Sequence, residues 1–215
     1  MSFPAIQQCD RVEYILAACE GKRVLHLGCA DWPFTQEKFA SGTLLHEKIA
    51  EVALHVAGSD LSHDGIAALR TLGFTDVFAH DATETLFQQF GTQFDVVVAG
   101  EVIEHVLNAG DLLQSIGTVL GRQSRLVLTT PNYCPIKRVG RLLYRREVVN
   151  PDHVCYYSRA TLGKLLELTC YEVLEWKVHW WDVGTVSKLS NKVLRRIPVL
   201  QYYADTLCLT ARVKL

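Results

Sequence analysis

Short apolar segments alternate with helical segments along most of this chain. The apolar segments lack the polar alternation of half-exposed strands, and they are residues 23–27, 54–59, 77–79, 94–100 and 125–130. Helical patterns separate them, near residues 44–52, 65–72, 83–90 and 109–120. Strands that are apolar throughout and separated by helices are typical of a parallel sheet covered on both faces. The sequence therefore predicts a doubly wound α/β fold, in which ligands bind beyond the carboxyl ends of the strands.

The organisation of the chain indicates one domain. Its 215 residues suit a single hydrophobic core. A helix is predicted over residues 5–19, within an N-terminal segment 1–22, and another lies near 158–169. Two strands, "YEVLEWKVHWW" and "TLCLTARV", end the chain, and residues 131–158 follow the fifth predicted strand as a lid-like insertion. We expect residues 1–215 to form a single domain.

The composition is that of a globular protein, with 49% hydrophobic and 21% charged residues. No apolar run approaches the roughly 20 residues of a membrane-spanning helix, and the N-terminus "MSFPAIQQCD" lacks a signal pattern. The seven cysteines are scattered, odd in number and without a C-x-x-C pair, which favours reduced thiols over a disulfide framework or a structural zinc site. We therefore expect a cytoplasmic protein.

The stretch "KRVLHLGCADWPF" runs from the first predicted strand into Gly28 and then departs from a dinucleotide-binding loop. Such a loop needs further glycines where this chain has Ala30 and Trp32, because the backbone must approach a pyrophosphate closely. Pro33 lacks an N–H donor, and Asp31 would repel a phosphate. A phosphate-bearing ligand is disfavoured, which makes a nicotinamide-dependent oxidoreductase the least favoured enzyme class.

Two later strand ends carry acids that suit a nucleoside. Asp60 follows "AGS", where a carboxylate can accept hydrogen bonds from both ribose hydroxyls. Asp81 follows "FAH" at the next strand end, beside the expected edge of an adenine. A ligand with a ribose and a base but no phosphate is a nucleoside, and S-adenosylmethionine is the common cationic one. The alternative role for Asp60 is to cap the helix that follows, a role that Ser62 could fill as well.

A set of motifs, in this order and spacing, resembles the class I S-adenosylmethionine-dependent methyltransferases. The set comprises "VLHLGCA", "GSDLS", "HDATE", "FDVVVAGEVIEHVLNAGDLLQSIGTVL", "RLVLTTPN" and "HVCYYSRATLGKLLELTCYEV". It spans about residues 10–180, and the similarity is greatest to ubiquinone-pathway and bacterial glycan O-methyltransferases. The resemblance implies S-adenosylmethionine as the cofactor and a Rossmann-like methyltransferase fold, whose mostly parallel sheet has seven strands with the last one antiparallel.

The resemblance also implies which residues bind the cofactor. They would surround the methionine part (Gly28, Cys29 and Ala30), the ribose (Asp60 and Leu61), the adenine (Asp81 and Ala82) and the sulfonium (Gly100 and Glu101). This chain departs from the family pattern at His26, where relatives usually have an acid, and at Ala30 and Trp32, where they have glycines. The altered loop keeps a non-catalytic S-adenosylmethionine-binding protein as an alternative function.

The segment "GEVIEHV", which begins where the fourth predicted strand ends, carries the candidate catalytic groups. If an α-helix begins there, Glu101, Glu104 and His105 project from one face. Methyl transfer to an oxygen requires the acceptor to lose a proton, and His105 is the candidate base. His153, in "NPDHVCYYS", would come over the same site as part of the lid. We therefore predict Glu104, His105 and His153 as the catalytic residues.

The same region also offers ligands for a divalent metal. Imidazole and carboxylate groups suit zinc, manganese or iron, and the candidate ligands are Glu101, Glu104, His105 and His153. This set resembles the metal site of small-RNA 3′-terminal 2′-O-methyltransferases. Since "EVIEHV" is also common in relatives with no known metal, we expect metal-independent activity. A metal-dependent RNA 2′-O-methyltransferase is the enzymatic alternative.

Charge is distributed unevenly along the chain. Residues 1–131 have 8 Lys+Arg against 16 Asp+Glu, whereas residues 132–215 have 14 against 7. Two basic clusters lie in the second part, and they are Lys137, Arg138, Arg141, Arg145 and Arg146, then Lys188, Lys192, Arg195 and Arg196. The first cluster is amphipathic, so it could bind an anionic acceptor, lie on an anionic membrane or form only a solvated helix face. The pI of about 6.7 argues against a nucleic-acid partner.

These observations lead to one expectation for the function. The chain is predicted to be a single-domain S-adenosylmethionine-dependent methyltransferase that methylates an oxygen of a small-molecule or glycan acceptor. The basic segment favours an anionic or lipid-linked acceptor and is compatible with peripheral membrane contact. No transmembrane segment is expected.

Overall fold

Eight strands form one mixed sheet among the residues that the structure describes. The computed structural model describes residues 6–135, 149–182, 191–192 and 194–214. The strands are β1 (Gln7–Gln8), β2 (Arg23–Leu27), β3 (His55–Asp60), β4 (Val77–Ala79), β5 (Phe94–Gly100), β6 (Leu120–Pro131), β7 (Tyr171–His179) and β8 (Thr206–Val213). Their order across the sheet is β1-β7-β8-β6-β5-β2-β3-β4. Neighbouring strands are parallel except at β8, which is antiparallel to both β6 and β7.

Helices cover both faces of this sheet. The α-helices in the described residues are α1 (Arg11–Cys19), α2 (Thr35–Ala40), α3 (Leu45–Val52), α4 (His63–Thr71), α5 (Leu86–Phe90), α6 (Ala109–Thr118) and α7 (Arg159–Leu168). Apolar residues of α1 and α3 pack in one cluster, and those of α5, α6 and α7 pack in another. Two 3₁₀-helices, Ile103–His105 and Pro198–Tyr203, lie in the connections.

Strand β5 is apolar at successive positions because both of its faces are covered. Val97 packs with the cluster of α5, α6 and α7, whereas Val96 and Val98 pack with that of α1 and α3. Successive side chains of a strand point to opposite faces, so a strand covered on both sides needs an apolar residue at each position. Burying each valine stabilises the fold by roughly 1.5–3 kcal/mol.

The predicted fold class is confirmed, with one strand more than expected. The final strand, β8, is antiparallel to its neighbours, as predicted. The sheet has eight strands because Gln7 and Gln8 pair in parallel with Lys177 and Val178 of β7. The predicted helix near 158–169 is α7, which begins after the N-cap Ser158.

The N-terminal segment differs from the expectation of one helix over residues 5–19. The helix begins only at Arg11, after the N-cap Asp10. The Asp10 carboxylate accepts hydrogen bonds from the N–H groups of Val12 and Glu13, at 2.9 and 3.1 Å. Such a cap satisfies amides that the first turn of a helix leaves unpaired. The chain before the cap is extended, and this extended segment supplies β1.

Parts of the expected lid and of both basic clusters lie outside the described residues. The basic residues that fall there are Lys137, Arg138, Arg141, Arg145, Arg146 and Lys188. In the second cluster, Arg195 donates a hydrogen bond to the Asp182 carboxylate at 3.0 Å, while Lys192 and Arg196 are exposed. Across the described ranges, none of the helices combines the length and apolar character needed to cross a membrane.

Gly58 of β3 provides a test of this packing. A Cβ atom there would lie 2.7 Å from Cys29 Sγ and 3.0 Å from both His46 Cε1 and Val77 Cγ1. We expect Gly58→Ala to lower the free energy of unfolding by about 1–3 kcal/mol, because overpacking forces neighbouring groups apart. Urea unfolding followed by circular dichroism measures the change.

Gly117 of α6 provides the matched control. The closest atom to an added Cβ there is the Tyr171 hydroxyl oxygen at 3.5 Å, an ordinary contact. Gly117→Ala should leave stability unchanged or raise it by up to about 1 kcal/mol, because alanine favours helix. Equal stability of the Gly58 and Gly117 variants would contradict the close packing around β3.

Candidate active site

A cavity of about 840 Å³ lies at the carboxyl ends of β2, β3, β4 and β5. The lining includes residues of α1, α2 and α3 and of the loops that follow these strands. Most of the predicted cofactor-binding residues line it, and these are Gly28, Asp60, Leu61, Asp81, Ala82, Gly100 and Glu101. The position agrees with the ligand site expected of a doubly wound fold.

Gly28 forms the turn after β2. Its φ is 70°, a conformation that glycine adopts readily, and a Cβ atom there would lie 2.8 Å from Val102 Cγ2. The side chains of Cys29 and Ala30 are fully buried in a cluster with Leu69. Cys29 and Ala30 therefore do not line the cavity, although both were predicted beside the methionine part.

Asp31 continues the loop with a left-handed backbone, at a φ of 51°. Aspartate tolerates this region better than most residues. Its Oδ1 accepts a hydrogen bond from Lys38 Nζ at 2.6 Å, and its carbonyl oxygen accepts one from Phe34 N–H at 2.9 Å. Asp31, Lys38 and Trp32 all line the cavity. These contacts hold the loop without the second and third glycines of the family pattern.

Asp60 joins this loop to the next one. Its Oδ2 accepts a hydrogen bond from Ala30 N–H and its Oδ1 accepts one from Ser62 N–H, both at 2.9 Å. Ser62 is the N-cap of α4, because its hydroxyl oxygen accepts the N–H of Gly65 at 3.0 Å. The capping role considered for Asp60 thus belongs to Ser62. A carboxylate has about four lone-pair sites, so Asp60 can still accept hydrogen bonds from a ligand.

The loop after β4 presents His80, Asp81 and Ala82 to the cavity. Asp81 Oδ1 accepts hydrogen bonds from the N–H and hydroxyl of Thr83, at 2.9 and 2.7 Å, which orients the carboxylate in an Asx turn. His80 Nε2 is buried and has no hydrogen-bond partner among the described residues. His80 was not among the predicted site residues, because nothing in the sequence shows that a ring nitrogen is left unpaired.

Arg11 reaches from the first turn of α1 to the end of β5. Its Nη1 lies 3.4 Å from Thr129 Oγ1 and 3.4 Å from where a Cβ on Gly100 would be. Its guanidinium carbon lies 5.6 Å from the centroid of a Trp181 ring, and its Nε is buried with no hydrogen-bond partner among the described residues. We call the part of the cavity lined by Arg11, His26, Leu45, Gly100 and Glu101 the α1 end.

Arg11 was also absent from the predicted site residues, although the sequence contains one relevant signal. A cation in the first turn of a helix is disfavoured by the helix dipole. An arginine at this position therefore indicates a requirement other than helix stability. That signal is recognisable only when the start of the helix is known, and the predicted helix began several residues too early.

Glu101 turns the chain away from β5, with a φ of 58°. Its N–H donates a hydrogen bond to the Thr129 carbonyl oxygen at 2.9 Å, and its Oε1 is buried without a partner among the described residues. Burial raises the pKa of this carboxyl, against the opposing effects of Arg11 and the Thr129 side chain. The expected α-helix from Glu101 is wrong, because this left-handed residue is followed by the 3₁₀-helix Ile103–His105.

Glu104 is fully buried near Glu101 and does not line the cavity. Its Oε2 accepts a hydrogen bond from Thr130 Oγ1 at 2.9 Å, while its Oε1 has no partner among the described residues. Burial, followed by the neighbouring Glu101 charge, raises the pKa of Glu104 to about 8. At neutral pH, Glu104 therefore mainly carries its proton.

His105 is exposed and lines the cavity. Its Nδ1 lies 3.0 Å from the carbonyl oxygen of Asp152, which can only accept a hydrogen bond. Nδ1 therefore carries the proton of the neutral ring, and Nε2 is left with its lone pair. The ring of His153 packs edge-on against His105, with centroids 4.6 Å apart.

The three predicted catalytic residues are brought together in the structure. One potential ligand atom from each of Glu104, His105 and His153 lies within 4.8 Å of the others. Glu101, the fourth predicted metal ligand, is not part of this group among the described residues. A bend after β5, and not one face of an α-helix, places Glu104 and His105 together.

Comparisons with known proteins match most of the chain. The model of a family described as the methyltransferase domain matches residues 7–175. A protein from Aeromonas salmonicida named ubiquinone biosynthesis O-methyltransferase is 30% identical over 184 residues, which cover 80% of this chain and 73% of that relative. A relative of the same name from Paraburkholderia phymatum is 33% identical over 104 residues, which cover 46% of this chain but only 40% of that protein.

A solved structure has a similar fold. It is described as a SAM-dependent methyltransferase from Archaeoglobus fulgidus, and it aligns with a TM-score of 0.60 and 17% sequence identity. The alignment covers 94% of this chain and 90% of that chain. At this low identity, the similarity extends to the fold alone.

Glu104→Gln tests the buried carboxyl. The pKa of Glu104 is raised from its ordinary value of 4.5 to about 8, so ionising this group inside the protein is unfavourable. The free energy of unfolding should therefore fall as pH rises from about 4.5 to about 8, and Glu104→Gln should remove that fall. At about pH 9, we expect the variant to be more stable by more than about 1.4 kcal/mol, the equivalent of one pKa unit.

Urea unfolding at about pH 4 and pH 9 measures this difference, which should nearly vanish at the lower pH, below the ordinary pKa of the carboxyl. Glu20→Gln is the matched control, because Glu20 is exposed beyond the end of α1. This substitution should change the free energy of unfolding little at either pH. A variant at Glu104 that behaves like the Glu20 control would contradict the raised pKa.

Proposed function

The chain belongs to the S-adenosylmethionine-dependent methyltransferase family, and we propose that it methylates a hydroxyl oxygen of a small-molecule acceptor. Membership confirms the resemblance inferred from the sequence motifs, and S-adenosylmethionine is the cofactor. The names of the relatives, which are O-methyltransferases of ubiquinone biosynthesis, support oxygen as the methylated atom. The observation that carries the proposal is that His105 lines the cavity with its Nδ1 against the Asp152 carbonyl oxygen, which leaves the lone pair on Nε2.

The cavity residues fit the cofactor chemically. Arg11 Nε, His80 Nε2 and Glu101 Oε1 are buried polar atoms of lining residues, without hydrogen-bond partners among the described residues. Leaving such an atom unpaired costs about 1–3 kcal/mol, so each supports a polar ligand nearby. S-adenosylmethionine carries a carboxylate, an ammonium, hydroxyls and purine nitrogens, which can pair with these donors and acceptors.

We assign the cofactor contacts from the lining of the cavity and from the family resemblance. The proposed contacts are Arg11 and Gly28 for the methionine part, Asp60 and Leu61 for the ribose, Asp81 and Ala82 for the adenine, and Gly100 and Glu101 for the sulfonium. Cys29 and Ala30 would contribute only through their backbone, because their side chains are buried in the core. When bound, the cofactor supplies an activated methyl group, so the protein must orient the acceptor and exclude water.

His105 is the proposed general base. The acceptor hydroxyl must lose its proton as it gains the methyl group, and the unprotonated Nε2 of His105 would accept it. The Asp152 carbonyl oxygen accepts a hydrogen bond from Nδ1–H and thereby keeps the proton of the neutral ring on Nδ1. His153, whose ring packs edge-on against that of His105, is the proposed positioning residue. Glu104 lies beside the two histidines, with one polar atom within 4.8 Å of one atom on each of them.

We further propose a single domain over residues 1–215, with residues 131–158 as the lid of the cavity. The family match over residues 7–175 and the continuous sheet support one domain. An anionic or lipid-linked acceptor is proposed from the basic segment "PIKRVGRLLYRRE" alone, since residues 136–148 lie outside the described ranges. A cytoplasmic location is supported by the seven free cysteines.

A metal-assisted reaction is the second candidate, because ligand atoms converge at the same place. Glu104 Oε1 has no hydrogen-bond partner among the described residues, and Nε2 of His105 carries a lone pair when Nδ1 is protonated. One potential ligand atom from each of Glu104, His105 and His153 lies within 4.8 Å of the others. These residues would hold a divalent cation, which would lower the pKa of a coordinated hydroxyl. His105 would then serve as a ligand and not as the base.

Asp60→Ala tests the cofactor assignment. We expect it to weaken binding of S-adenosylhomocysteine at least tenfold, about 1.4 kcal/mol, because charge-assisted hydrogen bonds to the ribose are lost. Isothermal titration calorimetry measures the affinity. Asp64→Ala is the matched control, because Asp64 is an exposed acid in the first turn of α4 and does not line the cavity. Unchanged affinity in a folded Asp60 variant would refute the ribose assignment.

His105→Ala tests the chemistry. We expect kcat to fall by about 10²–10⁴-fold while affinity for S-adenosylhomocysteine stays unchanged, because a general base acts only in the transfer step. The assay measures S-adenosylhomocysteine formed with a panel of catechols and alkylphenols. The matched control is His63→Ala, at an exposed position in α4. Full activity in the His105 variant would overturn its proposed role.

The same assay after treatment with EDTA separates the two candidates. If His105 acts as the base without a metal, activity should survive the chelator. If a metal assists, activity should be lost, return with added Mg²⁺, Mn²⁺ or Zn²⁺, and fail to return in His153→Ala.

A further inference from the structure

Two buried histidines form a pair at the α1 end of the cavity. His26 in β2 is 2% exposed, and His46 in α3 is 1% exposed. Their Nδ1 atoms are 3.3 Å apart, and their rings are stacked with centroids 5.5 Å apart. Burial lowers the pKa of both rings, that of His46 to about 4, and the Arg11 charge lowers that of His26 further. Both rings are therefore neutral at physiological pH.

The short distance between the Nδ1 atoms restricts where the ring protons lie. A single hydrogen bond joins these atoms, so one ring carries its proton on Nδ1 and the other carries its proton on Nε2. If His46 donates, His26 has an N–H at Nε2. If His26 donates, its Nε2 has only a lone pair. His46 thus determines whether the remaining nitrogen of His26 is a donor or an acceptor.

The two rings border different cavities. His26 lines the cofactor cavity, whereas His46 lines a second cavity of about 230 Å³ and packs against Phe74 with ring centroids 5.0 Å apart. Since Nδ1 of His26 faces His46, Nε2 is the ring nitrogen that remains for a ligand. Nε2 of His26 is therefore a polar atom of a cavity-lining residue that is not among the cofactor contacts proposed above.

The charges at the α1 end suit an amino-acid group. Arg11 supplies a cation, and Glu101 supplies a carboxyl group with an unpaired Oε1 among the described residues. Arg11 and His26 line the same cavity, so one anion bound at the α1 end can face both side chains. A carboxylate near Arg11 and an ammonium near Glu101 would satisfy both groups. An N–H at His26 would add a second donor for the carboxylate.

We propose that His26 binds the carboxylate of the amino-acid part of the cofactor through its Nε2–H, with His46 donating its Nδ1–H to fix this tautomer. His26 is then a binding residue, and His46 is a positioning residue that acts through it. The proposal depends on the proposed assignment of the cavity to S-adenosylmethionine. It gives a function to a polar pair that would otherwise be an unfavourable choice for a hydrophobic core.

Two ligands distinguish this role from a structural one. S-adenosylhomocysteine and 5′-methylthioadenosine share the nucleoside and the thioether, but only the first carries the amino-acid group. We expect His26→Leu to lower the affinity for S-adenosylhomocysteine at least tenfold. The affinity for 5′-methylthioadenosine should change less than twofold, and isothermal titration calorimetry measures both. His26→Gln should restore most of the lost affinity, because the glutamine amide can place an N–H near the position of Nε2.

His46 is tested in the same way. His46→Asn can keep a donor near Nδ1 and should retain affinity for S-adenosylhomocysteine, whereas His46→Phe should lose it. His55→Asn is the matched control, because His55 lines the same second cavity as His46 but pairs with Asp76 at 2.8 Å. Thermal unfolding of each variant establishes that it is folded.

The outcomes separate the failure of this proposal from the failure of the proposed function. If the parent protein binds neither ligand, the assignment of the cavity to the cofactor fails. The carboxylate role of His26 is overturned if the parent binds both ligands and the folded His26→Leu variant loses affinity for both equally. It is also overturned if this variant keeps full affinity for both. If His46→Asn loses as much affinity as His46→Phe, the tautomer role of His46 is overturned.

Discussion

The arrangement of the loops at the cavity depends on the hydrogen bonds that the Asp60 carboxylate accepts. It accepts the N–H groups of Ala30 and Ser62, which belong to loops after two different strands. These strands pair in parallel, with Leu27 opposite Ser59, so both loops start at the same level. Hydrogen bonds to an ionised acceptor are roughly twice as strong as neutral ones. Because Asp60 is also the proposed ribose ligand, the geometry of the loops and the binding of the cofactor are coupled through one group.

Burial on both faces of the sheet made much of the fold predictable. Strand β5 was predicted at residues 94–100 and is observed there, because the valines needed on both faces leave an apolar run in the sequence. Strand β1 could not be predicted in this way. Its residues, Gln7 and Gln8, are polar and exposed, and their extended structure is fixed by pairing with the distant β7. Short strands defined by such non-local pairing have little signature of their own.

The candidate site was predictable where a strand end alone positions a residue. Asp60 and Asp81 follow strands directly, and both line the cavity, although their roles as ligands remain predictions. Residues that depend on backbone conformation or long-range contact were harder. The helix expected at Glu101 failed because its left-handed φ cannot be recognised from residue type. Arg11 was missed because it meets Thr129 across 118 positions of sequence.

The loop after β2 lacks two glycines of the family pattern, but the helix that packs against it has a glycine at the point of contact. Ala30 and Trp32 occupy positions where the family pattern inferred from the sequence motifs has glycine, and their Cβ atoms lie 2.7 and 3.1 Å from where a Cβ on Gly65 would be. Gly65 lies in the first turn of α4, the helix against which this loop packs. Close approach of two backbones requires only one side to lack a Cβ. In this chain the glycine lies on the helix, so the loop can carry side chains while remaining close to α4.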